Sequence, residues 1–182
     1  MNTWFVIAAL TLFGSSLAQL PCTLESSVAE AFDVFNFTFL QSYHDVSTMV
    51  TLYETPAGES VYLFDFNEGK LYVNRPNSTC VQYENPDSKI SPAAFGLAQE
   101  KLQFTNPMGV NLRGFEYTNG GATTRLFLSD TCDFYFISFL VNNQNRLAFS
   151  FYNQRDFTDD DAQKVEDAKA TFEAANCAVG LM

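Results

Sequence analysis

Along most of this chain, apolar residues recur at every second position. In Val34-Phe35-Asn36-Phe37-Thr38-Phe39 the three phenylalanines fall on one side, and Asn36 and Thr38 on the other, as in a half-buried strand. Tyr62, Phe64 and Phe66 alternate with Leu63 and Asp65, and after Asn67-Glu68-Gly69 the extended pattern resumes at Leu71-Tyr72-Val73. The same reading predicts strands over 47–54, 60–66, 70–74, 80–84, 101–105, 109–117, 123–129, 133–141 and 146–153. Turn sequences separate them: Pro56-Ala57-Gly58, Asn119-Gly120-Gly121 and Asn142-Asn143-Gln144-Asn145. Asn-Gly supplies the positive φ angles that tight hairpins need. Many short strands at this spacing make a meandering antiparallel sheet or an open barrel, so the expected class is mainly β.

One stretch follows a different period. After Thr158-Asp159-Asp160-Asp161, residues Val165, Ala168 and Phe172 recur at helical spacing. Thr158 suits an N-cap, and three aspartates sit where a helix dipole favours negative charge. A helix is predicted from Asp159 to Ala175, with a narrow apolar stripe that lies on the sheet rather than inside it. A weaker helical turn is predicted over 91–98.

The N-terminus sets the compartment. Residues 4–13 (WFVIAALTLF) form an apolar run too short to span a bilayer, and Ser16 and Ala18 fit a signal-peptidase site. Residues 1–18 are therefore read as a signal peptide, leaving 19–182 as one secreted, soluble domain without repeat or linker. The formal net charge of −11 argues against nucleic acid and anionic membranes as partners. Cys22, Cys80, Cys132 and Cys177 make an even, widely spaced set, which in a secreted chain reads as two disulfides; the spacing leaves three pairings open. Asn36-Phe37-Thr38 and Asn77-Ser78-Thr79 are glycosylation acceptors, the second running straight into Cys80.

Candidate chemistry is sparse. His44 is the only histidine, and no G-x-S-x-G, H-E-x-x-H, P-loop or dinucleotide fingerprint is present, so no catalytic residue is assigned and no cofactor is required. Asp65, Glu54 and Glu116 are carboxylates that a strand fold could gather for acid–base work, with nothing singling out a pair. Asp156, Asp159, Asp160 and Asp161 cluster at the helix start and form a candidate calcium set, although a dipole-favoured turn explains three of them equally well. The aromatic area is large, with 19 Phe and 8 Tyr. Either two layers close over it as core, or a concave face holds an apolar ligand. On the second reading the pocket is lined by Phe35, Phe37, Phe39, Tyr62, Phe64, Phe66, Phe134, Phe136, Phe149 and Phe151.

Taken in order, these motifs resemble the ependymin family of secreted glycoproteins. The resemblance rests on Pro21-Cys22, Tyr62-Leu63-Phe64-Asp65-Phe66, Asn77-Ser78-Thr79-Cys80 and Gly109-Val110-Asn111-Leu112 with Phe115. It continues through Ser129-Asp130-Thr131-Cys132, Phe149-Ser150-Phe151-Tyr152-Asn153 and Phe172-Glu173-Ala174-Ala175-Asn176-Cys177. The family's closing prolines are absent, and Asp133-Phe134 departs from its usual pair after the third cysteine. The resemblance implies a curved antiparallel half-barrel similar to the bacterial lipoprotein carriers LolA and LolB, with helices in its mouth. It further implies the pairs Cys22–Cys132 and Cys80–Cys177, a non-enzymatic extracellular role, calcium association, dimerisation, and binding of lipid-like molecules or extracellular matrix. The alternatives are a lipocalin-like transporter, whose G-x-W signature is missing, and a purely structural matrix protein.

Overall fold

A computed structural model describes residues 24–55, 60–84, 89, 98–141 and 144–180. The signal segment, Cys22 and all but Ala98 of the turn expected over 91–98 lie outside the described residues.

Where alternation predicts one strand over 34–39, the chain instead reverses. Asp33 is buried, and its carboxylate accepts hydrogen bonds from the backbone N–H of Phe35 and Asn36 and from the Asn36 side-chain amide. Such an Asx turn competes with strand pairing for the same donors. Phe37 adopts a left-handed conformation (φ 54°) within the turn. The result is a hairpin of β1 (Ser27–Asp33) and β2 (Thr38–Asp45). The sequence pattern hides β1 because its inward positions are Ala29 and Ala31, too small to mark a face.

The other strands follow the turn signals. They are β3 (Val50–Glu54), β4 (Val61–Asp65), β5 (Lys70–Asn74), β6 (Val81–Glu84), β7 (Gln99–Thr105) and β8 (Asn111–Asn119). After them come β9 (Ala122–Ser129), β10 (Phe134–Val141), β11 (Gln144–Asp156), the helix α1 (Asp159–Ala174) and a short β12 (Ala178–Gly180). The twelve strands among the described residues join one open sheet in the order β12-β6-β5-β4-β3-β2-β1-β11-β10-β9-β8-β7. Neighbours pair antiparallel except β12, which runs parallel to β6 at one edge.

The sheet bends strongly. Tyr53 on β3 and Phe149 on β11 are three strand positions apart, about 14 Å on a flat sheet at the usual strand spacing. Their rings nevertheless stack with centroids 4.2 Å apart. Phe64 on β4 and Phe139 on β10 are farther apart along the sheet, yet stack at 5.4 Å. Only a sheet curled so that its two halves face each other allows both contacts. The fold is thus mainly β, an open curved half-barrel with a single C-terminal helix among the described residues.

The helix lies outside this curve. Val165 and Phe172 pack on Val28, Tyr43, Val50, Leu52, Leu63 and Tyr72, which alternate with the inward residues of β1 to β5. The described helix therefore covers the convex back of one half, and not the mouth as the family resemblance implies. The physical reason is the side-chain period: Leu52 and Leu63 supply a second apolar face opposite Tyr53 and Phe64. Thr158 caps it, with its hydroxyl accepting from Asp161 N–H and Asp161 accepting from Thr158 N–H, a reciprocal capping box.

Candidate functional site

The inner face is core. Phe64, Phe66, Phe134, Phe149 and Phe151 are buried there, with Tyr62 half-buried against them. These residues, expected to line an apolar hollow, fill it instead. Curling brings facing rings into contact, and a space of about 20 Å³ lies next to His44, Thr51 and Phe134. Phe35, Phe37 and Phe39 are not on this face at all. They are exposed at and beside the β1–β2 turn, because the reversal at Asp33 breaks the alternation that seemed to aim them inward.

His44 sits within this core. Its Nε2 shares a hydrogen bond with Ser42 Oγ at 2.8 Å and its Nδ1 one with Thr51 Oγ1 at 3.0 Å. The ring stacks on Phe134 and meets Phe151 and Tyr53 edge-on. Burial lowers its pKa to about 3, so the imidazole is neutral. The serine–histidine pair lacks a carboxylate on Nδ1 and lies beneath aromatic rings, which makes it a satisfied polar contact rather than an exposed nucleophile. Of the carboxylates raised from sequence, Glu54 pairs with Lys164, Glu116 with Arg125, and Asp65 accepts from the Glu68 N–H.

The outer face of the other half of the sheet carries the accessible aromatic surface. Cross-strand partners form a row from β2 to β7: Phe39 faces Phe32, Phe32 faces Ser150, and Ser150 faces Phe136. Phe136 then faces Phe127, Phe127 faces Gly114, and Gly114 faces Leu102. Ring centroids lie 5.6 Å apart for Phe127–Phe136 and 5.8 Å for Phe104–Phe127. A β-bulge at Tyr135 explains why Phe136 is here while Phe134 is inside: one extra residue between them reverses the face. Gly114 lets the row close up, since a Cβ there would stand 3.0 Å from Leu102 Cγ and 3.1 Å from Phe127 Cε1.

Above the part of this row formed by Ser150, Phe136 and Phe127 lies an open groove of about 1000 Å³. Phe104, Met108, Leu112, Phe127 and Phe136 give it apolar walls, and Asn106, Asp133, Asn153 and Gln154 add polar groups. Of the residues expected at a ligand pocket, Phe136 lines this groove, and Phe151, whose ring lies in the inner core, borders it. Phe104, Phe127 and Tyr152 escape the sequence reading because Phe127 sits between two inward leucines, Leu126 and Leu128, and is masked by them. The strand-interior Gly114 is the one sequence signal that points to close packing here.

The remaining candidates are dispersed. Asp161 is buried and bidentate to Arg155 (2.6 and 2.8 Å), and that guanidinium together with Thr158 lowers its pKa. Asp156, Asp159 and Asp160 are exposed and do not converge on it. Among the described residues no three His, Cys, Asp or Glu side chains gather as a metal set. Asn36 and Asn77 are both exposed, each in or beside a turn, and Asn77 has a positive φ of 56°. Cys80 bonds to Cys177. Cys132 is also disulfide-bonded, and its expected partner Cys22 lies outside the described residues.

No protein-family model and no curated protein matches the chain. Solved structures of PNGF-II in a C2 and in a P21 crystal form align over 87% of this chain at 8% identity, with TM-scores of 0.42 and 0.40. The chain covers 31% of those PNGF-II chains, about a third of their length. At such scores the likeness carries no argument about activity.

Proposed function

We propose that this chain is a secreted, disulfide-stapled and glycosylated binding module of ependymin type, without enzymatic activity, that takes an apolar ligand on the outside of its sheet. The observation that carries the reading is the groove over Phe104, Phe127 and Phe136, which combines apolar walls with a few polar groups and is open to solvent. Contiguous exposed apolar surface of this kind marks interaction sites on folded proteins. The N-terminal apolar segment, the bridge Cys80–Cys177 and the two acceptor asparagines support an extracellular setting. No described helix is long and apolar enough to cross a membrane. Two sheet edges, β12 and β7, favour this reading over a closed lipocalin barrel. An acidic surface of −11 favours neutral or cationic ligands and leaves calcium-assisted contact with matrix within the same reading.

Titration with Nile red, a neutral apolar dye, tests the groove. Saturable binding is expected, and Phe127→Ser with Phe136→Ser should weaken it at least about fivefold through lost apolar contact. Binding that is absent, or indifferent to both substitutions in a protein with unchanged melting, rejects the groove as the site.

A further inference from the structure

The irregular part of the groove is also the part that carries charge. β10 holds an extra residue at Tyr135, and on the neighbouring β11 two residues, Asn153 and Gln154, stand against the single Ala29 of β1. Bulges re-aim side chains, and here Tyr135, Tyr152 and Asn153 all line the groove. The two bulges are fastened to each other: Gln154 Oε1 accepts from Phe134 N–H at 3.2 Å, and its amide nitrogen donates to Phe134 C=O. Asp133, beside this clamp, is the one charged side chain lining the groove among the described residues. Its Oδ2 accepts from the buried Ser129 hydroxyl at 3.1 Å and from the Thr131 hydroxyl at 2.6 Å, which fixes the carboxylate. Its Oδ1 has no partner among the described residues. Neighbouring arginines are committed elsewhere. Arg155, which shares a second hollow with Asp133, is bidentate to Asp161, and Arg125, on the strand of Phe127, pairs with Glu116 at 2.9 Å. A second carboxylate stands just beyond Tyr152. Glu30 is its cross-strand partner on β1, accepts from the Asn153 amide at 2.8 Å, and pairs with no lysine or arginine among the described residues.

We infer that the groove takes an amphipathic amine, with its apolar body on Phe127 and Phe136 and its protonated nitrogen at Asp133. This rests on the groove binding an apolar ligand and names the class of that ligand. Local charge selects it. A cation meets an uncompensated carboxylate at Asp133, with Glu30 adding to the same field, whereas a fatty carboxylate would set like charges together. Tyr135 and Tyr152 line the same groove, and their π-systems attract an ammonium and not a neutral head. Size selects a small molecule over a protein. A groove of about 1000 Å³ is of the order that small ligands occupy. A stable protein interface draws on about 20–30 residues a side, more than this groove offers.

Calorimetric titration with octylamine, octanol and octanoate at neutral pH tests the inference, because the three share one chain length and differ in charge. Octylamine is expected to bind at least about fivefold tighter than octanol, the order of one carboxylate–ammonium contact at a surface, with octanoate weakest. The margin narrows as sodium chloride is raised. Asp133→Asn brings octylamine to within about twofold of octanol and leaves octanol unchanged. Should that variant melt below the parent, Glu30→Gln decides, and it must narrow the margin. Glu166→Gln, which removes the same unit of charge from the helix, keeps the margin. Phe127→Ser with Phe136→Ser weakens octylamine and octanol alike. The inference is overturned by octanol or octanoate binding as tightly as octylamine, by a margin that survives Asp133→Asn, or by equal loss in Glu166→Gln. Octylamine binding indifferent to the double phenylalanine substitution overturns it too. So does displacement of octylamine by pentalysine at equal or lower concentration, which would assign the groove to a basic protein segment. Nile red binding with no preference for the amine removes the inference and leaves the groove standing, whereas absence of both Nile red and octylamine binding rejects the two together.

Discussion

At the scale of single residues, His44 couples the core to pH. It is neutral in the fold, with its pKa lowered by burial from 6.5 to about 3. The unfolded chain therefore takes up a proton near pH 6.5 that the folded chain refuses. Stability is complete above that value and declines as pH falls towards about 3, at a slope approaching 1.4 kcal/mol per pH unit. Asp161 acts in a lower window: Arg155 holds its pKa below the usual value of 3.8, so its contribution is present above that value and is lost on further acidification. Urea unfolding at a series of pH values should show the first decline, and His44→Gln should flatten it between about pH 6 and 4. An unchanged slope in the variant would assign the decline elsewhere. The sequence marks His44 only as a lone histidine; its neutrality comes from Ser42 and Thr51 beside it and from Phe134 of a distant strand, which no local pattern reveals.

At the scale of elements, the legible parts are those with strong local signals. The strands around Tyr62–Phe66, Leu71–Val73 and Phe149–Phe151, and the helix after Thr158, are readable because turn residues and one clear period define them. What misleads is parity. The Asx turn at Asp33 and the bulge at Tyr135 each break a run of alternating phenylalanines, sending Phe37 and Phe136 outward. Side chain-to-backbone bonds and bulges leave little trace in hydropathy. The C-terminal strand is equally hidden, since β12 has three residues and is anchored by Cys177 beside Cys80. Gly180 fits there because a Cβ would approach Tyr83 Cε1 to 2.5 Å. The Cys80–Cys177 bridge closes a separation of 97 residues, for which chain entropy gives a stabilisation of up to about 4–5 kcal/mol. Cys80→Ser with Cys177→Ser should cost about 2–4 kcal/mol in chemical denaturation. Amide exchange should rise first in β12 and β6. Uniform acceleration across the sheet would instead place β12 within the cooperative core.

At the scale of the molecule, one continuous sheet curls on itself, and that curl decides which aromatic surface is free. Rings that would line a hollow in a shallower curve are consumed in stacking between β3–β4 and β10–β11. The helix covers the back of β1–β5, while the back of β7–β11 keeps its aromatic row and groove. The overall class was readable from the sequence because many short alternating segments admit few other architectures. The assignment of inside and outside was not, because it depends on contacts between strands far apart in order. Photolabelling with a neutral alkyl diazirine, mapped by peptide mass spectrometry, separates the two surfaces directly. Adducts are expected on the groove residues Phe104, Met108, Tyr135, Phe136 and Tyr152. Adducts confined to the inner residues Tyr53, Phe64 and Phe149 would contradict the account.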